Sequence, residues 1–395
     1  MSSDSPTGAD AVRSYTGSAS KNSGQSRDSE PAAEDFLGQS RKTSLMEHQS
    51  ADEGTTLLSL GERGVIEQAR RHAGRRRAPL LLGIGDDAAL LTPPPNKLLS
   101  LTCDMLVEGV HFRRDWSTAR LIGGKAAAVN LSDIAAMGGE PAIALVSLAA
   151  PGETRACFVD EFFAGLTAEL AAYGCQLAGG DTVASPGPVV VDVTVAGFQE
   201  AAVRRRGARA GDVLVLTGPV GGAAVGLALL EAGSRFPGSD KTERALLAAQ
   251  LSPHARVREG RALARYAHAM TDLSDGLGTA LSLLTEDRGL GARLDREQIP
   301  VAAGLRQVAG RLQKDPDRLI IDGGEEYELL AAVAPRRVPA LWRTFARLGL
   351  VLYPIGEVTA SAGLFWREAG RETRIERAIF EHFRLGRKLE EPPRT

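Results

Sequence analysis

The sequence predicts an α+β protein built from two α/β-layered domains. Three observations carry that expectation. Apolar runs of strand length and amphipathic runs of helix length mix along the chain without the strict βαβ order of a doubly wound sheet. A basic turn, Arg204-Arg205-Arg206-Gly207, separates two such stretches. The chain has 395 residues, 43% hydrophobic and 24% charged, which suits two domains or one large one of ordinary globular composition.

The elements follow in order. Residues 1–55 are rich in Ser, Gly, Asp, Glu and Lys, a composition too polar to offset the entropy of ordering, so a disordered tail is expected there. The first domain is expected over 56–203. It opens with a helix over 59–71, a short strand at 80–82 and the loop Gly83-Ile84-Gly85-Asp86-Asp87. An apolar strand over 98–103 ends at Asp104, and a helix over 118–137 stops at Gly138-Gly139 before Pro141. A buried-type strand at 142–148, an amphipathic helix at 155–173 and a β-branched strand at 189–195 complete the unit. The second domain is expected over 207–392. It starts with a strand at 212–216, the turn Gly218-Pro219-Val220-Gly221-Gly222 and a helix through Leu230. Residues 234–243 read as a polar loop, 253–268 and 274–284 as helices, and 292–294, 328–333 and 351–355 as strands. No short-period repeat is visible.

Composition also narrows the function. A net charge of -2 gives no electrostatic case for nucleic acid, and the cluster Arg70, Arg71, Arg75, Arg76, Arg77 reads as a solvated helix end. Three cysteines without a CxxC pair (Cys103, Cys157, Cys175) point to reduced thiols and a cytoplasmic home. No apolar stretch reaches the ~20 residues of a membrane helix, and no secretory h-region opens the chain.

Six stretches share one style, small residues around an acid where a strand or loop meets a helix. They are Gly85-Asp86-Asp87, Thr102-Cys103-Asp104, Asn130-Leu131-Ser132-Asp133, Gly179-Gly180-Asp181-Thr182, Thr271-Asp272-Leu273-Ser274-Asp275-Gly276 and Gly323-Gly324-Glu325-Glu326-Tyr327-Glu328. Singly, each is the signature of a turn or a helix cap. Together they fit magnesium, which takes a few carboxylates and completes its octahedron with water and phosphate oxygens. Glycines let backbone N–H groups approach those phosphates. The chain lacks GxxxxGK followed by Ser or Thr, the protein-kinase signature set, HExxH, GxSxG and any His/Cys cluster of zinc spacing. The Gly218–222 turn has two readings, a phosphate cradle or a close-packed helix start.

The stretches GIGDDAALL, TCDMLVEGVHF, KAAAVNLSDIAAMGGEP, AGGDTV, TDLSDGL and GGEEYELL, in that order, resemble the thiamine-monophosphate kinase family. That family sits in the aminoimidazole-ribonucleotide synthetase-like superfamily, and the resemblance covers residues 57–390. It implies N- and C-terminal domains with that synthetase's two folds, and transfer of the ATP γ-phosphoryl group to thiamine monophosphate with several Mg²⁺ ions. Carried over by motif, Asp87, Thr102, Cys103, Asp104, Asp133, Asp181, Asp272 and Asp275 resemble the metal ligands. Gly180, Asp181, Arg205 and Ser274 resemble ATP contacts, and His111, Glu325 and Phe380 the substrate-binding positions.

Blander readings stand beside these. His111 fits a half-buried structural histidine, Ser274 a helix cap, and Phe380 a core plug. Arg205 sits between two other arginines, and Glu325 beside Glu326. Cys103 stands where the family has a hydroxyl residue. No general base is evident, and a phosphate acceptor needs none, so direct in-line transfer is expected. The resemblance further implies a homodimer formed through the N-terminal sheet, for which 189–195 is apolar enough to supply a strand. The competing readings are another ATP-dependent synthetase of the superfamily and a non-catalytic Mg²⁺-nucleotide or Ca²⁺ module.

Overall fold

A computed structural model describes residues 54–376, the side chain of Asp287 apart. The chain enters through helix α1 (Leu57–Ala73). A reciprocal capping box fixes its start: Thr56 accepts from the Ser59 amide, and Ser59 accepts from the Thr56 amide at 3.1 Å. A hairpin follows, β1 (Leu80–Leu82) and β2 (Leu90–Leu91), enclosing the first Gly-Asp loop. Then come β3 (Leu98–Val107), α2 (Ala119–Ala136), β4 (Glu140–Ala150), α3 (Ala156–Ala172), β5 (Gln176–Ala184) and β6 (Val190–Gln199).

Strands β3 to β6 make a four-stranded sheet in the order β3-β6-β4-β5, with only the β4–β5 pair parallel. One face packs on the helices. The other carries Leu99, Leu101 and Met105 of β3 and Val183 of β5, each at least half exposed. The β1–β2 hairpin covers only part of that face, through Leu80 against Ile143, Ala178 and Ala196.

The C-terminal half runs β7 (Val213–Leu216), α4 (Gly222–Glu231), α5 (Lys241–Leu251), α6 (Val257–Leu263), β8 (Ala267–Asp272), α7 (Leu277–Thr285) and β9 (Gly291–Asp295). It continues with α8 (Leu305–Arg311), α9 (Pro316–Ile321), β10 (Leu329–Val333), α10 (Val338–Leu348), β11 (Tyr353–Thr359), β12 (Gly363–Glu368) and β13 (Arg371–Arg374). The seven strands order as β13-β12-β9-β11-β7-β10-β8. Every residue of β7 and β10 is buried, as expected of uninterrupted apolar runs covered on both faces. Val213, Val215 and Met270 share a core with Leu131 and Ile134 of α2 and Val193 of β6. Helix α2 therefore lies between the two sheets, which explains why it is apolar almost all round. No helix among the described residues is long and apolar enough to cross a membrane.

Several local expectations need correction. Strand β3 does not end at Asp104 but runs on to Val107, so Asp104 is a mid-strand residue. The Gly179–182 stretch is no turn; it lies inside β5. A Cβ on Gly180 would sit 1.8 Å from the Val146 carbonyl oxygen, so the glycine is what lets β5 lie so close to β4. The helix expected over 253–268 stops at Leu263, and the chain re-enters as β8, paired with β10. The expected loop at 234–243 gives way to α5 from Lys241, capped by Asp240 on the Glu243 amide at 2.8 Å.

Candidate active site

Strand β3, helix α2 and the end of β8 meet at the junction of the two halves, and each delivers a carboxylate. Asp104 and Asp133 are hydrogen-bonded to each other, and Asp133 also accepts from the Thr102 hydroxyl. Ser132, fully buried, donates to Asp272 at 2.7 Å. Asn130 of the same helix accepts the Asp104 amide at 3.0 Å, which ties β3 to α2 at this point. Burial, with the Asp133 charge added, pushes the Asp104 carboxyl up to about 6. Burial and then the same Asp133 charge push Asp272 up to about 7. Asp275 adds its charge at Asp104. Asp133 is also raised by burial, against the lowering effect of Thr102 and of the Arg205 guanidinium.

Such an arrangement is a standing electrostatic cost. Buried like charges that share a proton are better satisfied by a cation. Among the described residues no three His, Cys, Asp or Glu side chains converge on one point. Asp104 and Asp133 form one hydrogen-bonded pair instead, and Asp272 lies near enough for both their charges to act on it. Pairs suit magnesium, which binds through one or two carboxylates plus water and substrate phosphate, rather than through an all-protein cage. A cleft of about 490 Å³ opens beside the group, lined by β3 from Leu98 to Thr102 and by Asp133, Gln199, Arg205 and Asp272.

The two segments expected to hold substrate lie against the same junction. The loops 273–275 and 324–328 are laced by backbone hydrogen bonds. Glu325 donates to the Ser274 carbonyl at 2.7 Å, Tyr327 to that of Leu273 at 3.1 Å, and Leu273 to that of Glu328 at 2.9 Å. Glu325 and Tyr327 both have left-handed backbones, φ 63° and 53°. Non-glycine residues held there cost of order 1–3 kcal/mol each and concentrate at functional sites. The Tyr327 hydroxyl is held far from ionisation by burial and by the charges of Glu325, Asp272, Asp104 and Asp275, so the loop faces the acidic group. His111 accepts the Val107 amide on Nδ1 at 3.0 Å, which leaves the ring proton of the neutral form on Nε2.

Other expected residues lie elsewhere. Thr102 and Cys103 cannot both reach the carboxylates through their side chains, because successive strand residues face opposite ways. Thr102 faces Asp133, whereas the Cys103 thiol lies on the outer face, 3.0 Å from Asp192. Asp181 sits on β5, at the opposite edge of the sheet from Asp104. Asp87 is in the loop after β1, and Gly83 of that loop lies against Ala178 of β5. Asp86 accepts the Asp87 amide at 3.0 Å and so shapes the loop. Phe380 falls outside the described residues.

The Gly218–222 turn is resolved as a packing device. Its helix start is filled by the protein's own carboxyl, Glu326, which accepts the Ala223 amide at 3.0 Å and which burial pushes up to about 8. A Cβ on Gly218 would lie 2.3 Å from the Glu328 carboxylate, which is bound by Arg256 and Thr217. Sequence reasoning missed Lys125 and Asp192. Each had a visible signal, a lone charge at the head of an alanine run and a lone acid in a β-branched strand.

Two family models match the chain: AIR synthase related protein, N-terminal domain, over residues 85–199, and the C-terminal domain of the same family over 209–367. The thiamine-monophosphate kinase of Salmonella typhimurium is 35% identical over 330 residues, 82% of this chain and 99% of that protein. Its counterpart in Mycobacterium tuberculosis is 39% identical over 336 residues, with 82% and 96% covered. The solved structure of AaThiL complexed with AMPPCP and TMP superposes with a TM-score of 0.66 at 31% identity, over 82% of this chain and 97% of that one.

Proposed function

The chain belongs to the thiamine-monophosphate kinase family, and we propose that it moves the γ-phosphoryl group of ATP directly onto thiamine monophosphate, giving thiamine diphosphate and ADP. The observation that carries this reading is the group of half-buried Asp104 and Asp133 with buried Asp272, and exposed Asp275 near them, beside a cleft that also holds Arg205. The binding of AMPPCP and TMP by AaThiL supports the choice of substrates.

The chemistry follows from the acceptor. A phosphate monoester has a second pKa of about 6, so at neutral pH it is already an anionic nucleophile and needs no general base. The obstacle is bringing one anion up to another. Magnesium held by Asp104, Asp133, Asp272 and Asp275 would neutralise the polyphosphate charge. The chain's own groups do the rest. Arg205 offers a cation at the cleft, Ser274 a hydroxyl at the head of the loop before α7, and Glu325 an anion for the cationic thiazolium ring. His111 closes the substrate side. Positioning and charge neutralisation then account for transfer in one in-line step, without a phosphorylated residue.

The functional unit in this reading is a homodimer. Asp104 and Asp181 stand three strands apart across β3-β6-β4-β5, roughly 14 Å at ~4.8 Å per strand. A second copy that sets its β5 against β3 would supply the partner's Asp181 and would cover the exposed face around Leu99, Leu101 and Met105. The three cysteines are free thiols, in keeping with the reducing cytoplasm.

Purified protein with ATP, Mg²⁺ and thiamine monophosphate should form thiamine diphosphate and ADP in equal amounts. Formation of aminoimidazole ribonucleotide from its formyl precursor instead would favour the synthetase reading. Nucleotide binding without turnover of either substrate would favour a binding module.

A further inference from the structure

Lys125 lies in the second turn of α2 and is 4% exposed. An ammonium at that depth is strongly unfavourable unless it is paired and hydrogen-bonded. Its Nζ lies 2.7 Å from Glu325 Oε1 and donates to the His111 carbonyl at 3.3 Å. Glu325 Oε2 accepts from Gln250 on α5. Both oxygens of the carboxylate are thus anchored, from two different helices, and its plane is set. The three residues that follow Lys125 are fully buried alanines, so an apolar side chain of similar length would satisfy packing alone.

We propose that Lys125 is a positioning residue for the acceptor substrate. It joins the loop after β3, through His111, to the loop before β10, through Glu325, and so holds in one arrangement the two groups that receive thiamine monophosphate. The inference rests on the kinase reading, because only there do His111 and Glu325 face a common ligand. An ammonium is well matched to this role. It carries donors in several directions and places a counter-charge beside a carboxylate that already faces the acidic group.

The test is steady-state kinetics in both substrates for Lys125→Met, Lys125→Arg and Lys125→Met combined with Glu325→Gln. Lys125→Met should raise the KM for thiamine monophosphate about tenfold, about 1.4 kcal/mol, and leave the KM for ATP within about twofold. Lys125→Arg should recover most of the loss. In the double variant the lysine change should add little to Glu325→Gln, because it acts through that carboxylate. Gln250→Leu, which removes the other anchor and spares the buried ammonium, should raise the same KM and serves if Lys125→Met does not fold. An unchanged KM for thiamine monophosphate in either variant, equal changes for both substrates, or full additivity with Glu325→Gln would overturn the proposal and leave the kinase reading standing. A wild type that does not turn over thiamine monophosphate would overturn both.

Discussion

Replacing Asp272 by Asn should make the metal-free protein more stable and the enzyme far less active. Burial and the Asp133 charge put this carboxyl at about 7, against ~3.9 in an unfolded chain. A difference of about 3 units is roughly 4 kcal/mol. The sign follows from the direction. A carboxyl whose folded pKa lies above its unfolded one binds its proton more tightly in the fold. Wild-type stability should therefore fall as pH rises from ~4 to ~7 and stay low above that. Asn carries no charge and can still accept from Ser132. At pH 8, without metal, Asp272→Asn should gain between about 2 and 4 kcal/mol on wild type, the lower figure allowing for its buried amide hydrogens. At pH 4 the gap should close. Urea unfolding of chelator-treated protein at the two pH values measures this. Added Mg²⁺ should raise the wild-type midpoint at pH 8 and move the variant less, while kcat/KM of the variant drops by about two orders of magnitude. A variant less stable than wild type at pH 8 would show that Asp272 is not a repelled charge, and the case for a cation there would fail.

Other expectations concern residues around this centre. Glu328→Gln strands the Arg256 guanidinium, whose Nε donates to Glu328 at 2.8 Å; the urea midpoint should fall by an amount equal to about 3–5 kcal/mol. Cys103→Thr should leave the magnesium dependence of the rate unchanged, since the thiol faces Asp192 on the outer side of the sheet; a tighter requirement for metal would place that side chain in the metal shell. Asp104→Asn and Asp181→Asn should each be inactive alone. Mixed and re-equilibrated, they should recover up to roughly a quarter of wild-type rate, because half the dimers are hybrids and each hybrid has one intact site. No recovery would mean that both aspartates serve one chain's site, or that the chains do not pair.

How far these features could be read from sequence depended on the kind of signal. The long apolar or amphipathic runs were legible: the helix expected at 118–137 and the strands expected at 212–216 and 328–333 lie within a residue of their observed bounds. Strand β8 was not, because Ala267–Asp272 follows α6 with only a short break and its burial comes from β10, which is distant in sequence. At the site, the acids were visible by type and glycine context, and Asp104 does meet Asp133, with Asp272 near enough for both their charges to act on it. Which side of a strand each residue faces was not visible for the pair Thr102 and Cys103, since the outcome depends on where β3 ends, and it ends three residues later than its apolar run suggests. The separation of Asp181 from Asp104 was equally hidden. Strand order is set by long-range pairing, on which a short Gly-Asp motif carries no information.

Direct transfer between two phosphates is tested most directly by the stereochemistry of the moving group. ATP made chiral at its γ-phosphorus should be turned over with thiamine monophosphate and Mg²⁺, and the terminal phosphorus of the thiamine diphosphate analysed. A single in-line displacement at the Asp104–Asp133–Asp272 centre should give inverted configuration. Retained configuration, or label released only as inorganic phosphate, would contradict direct transfer to the thiamine ester.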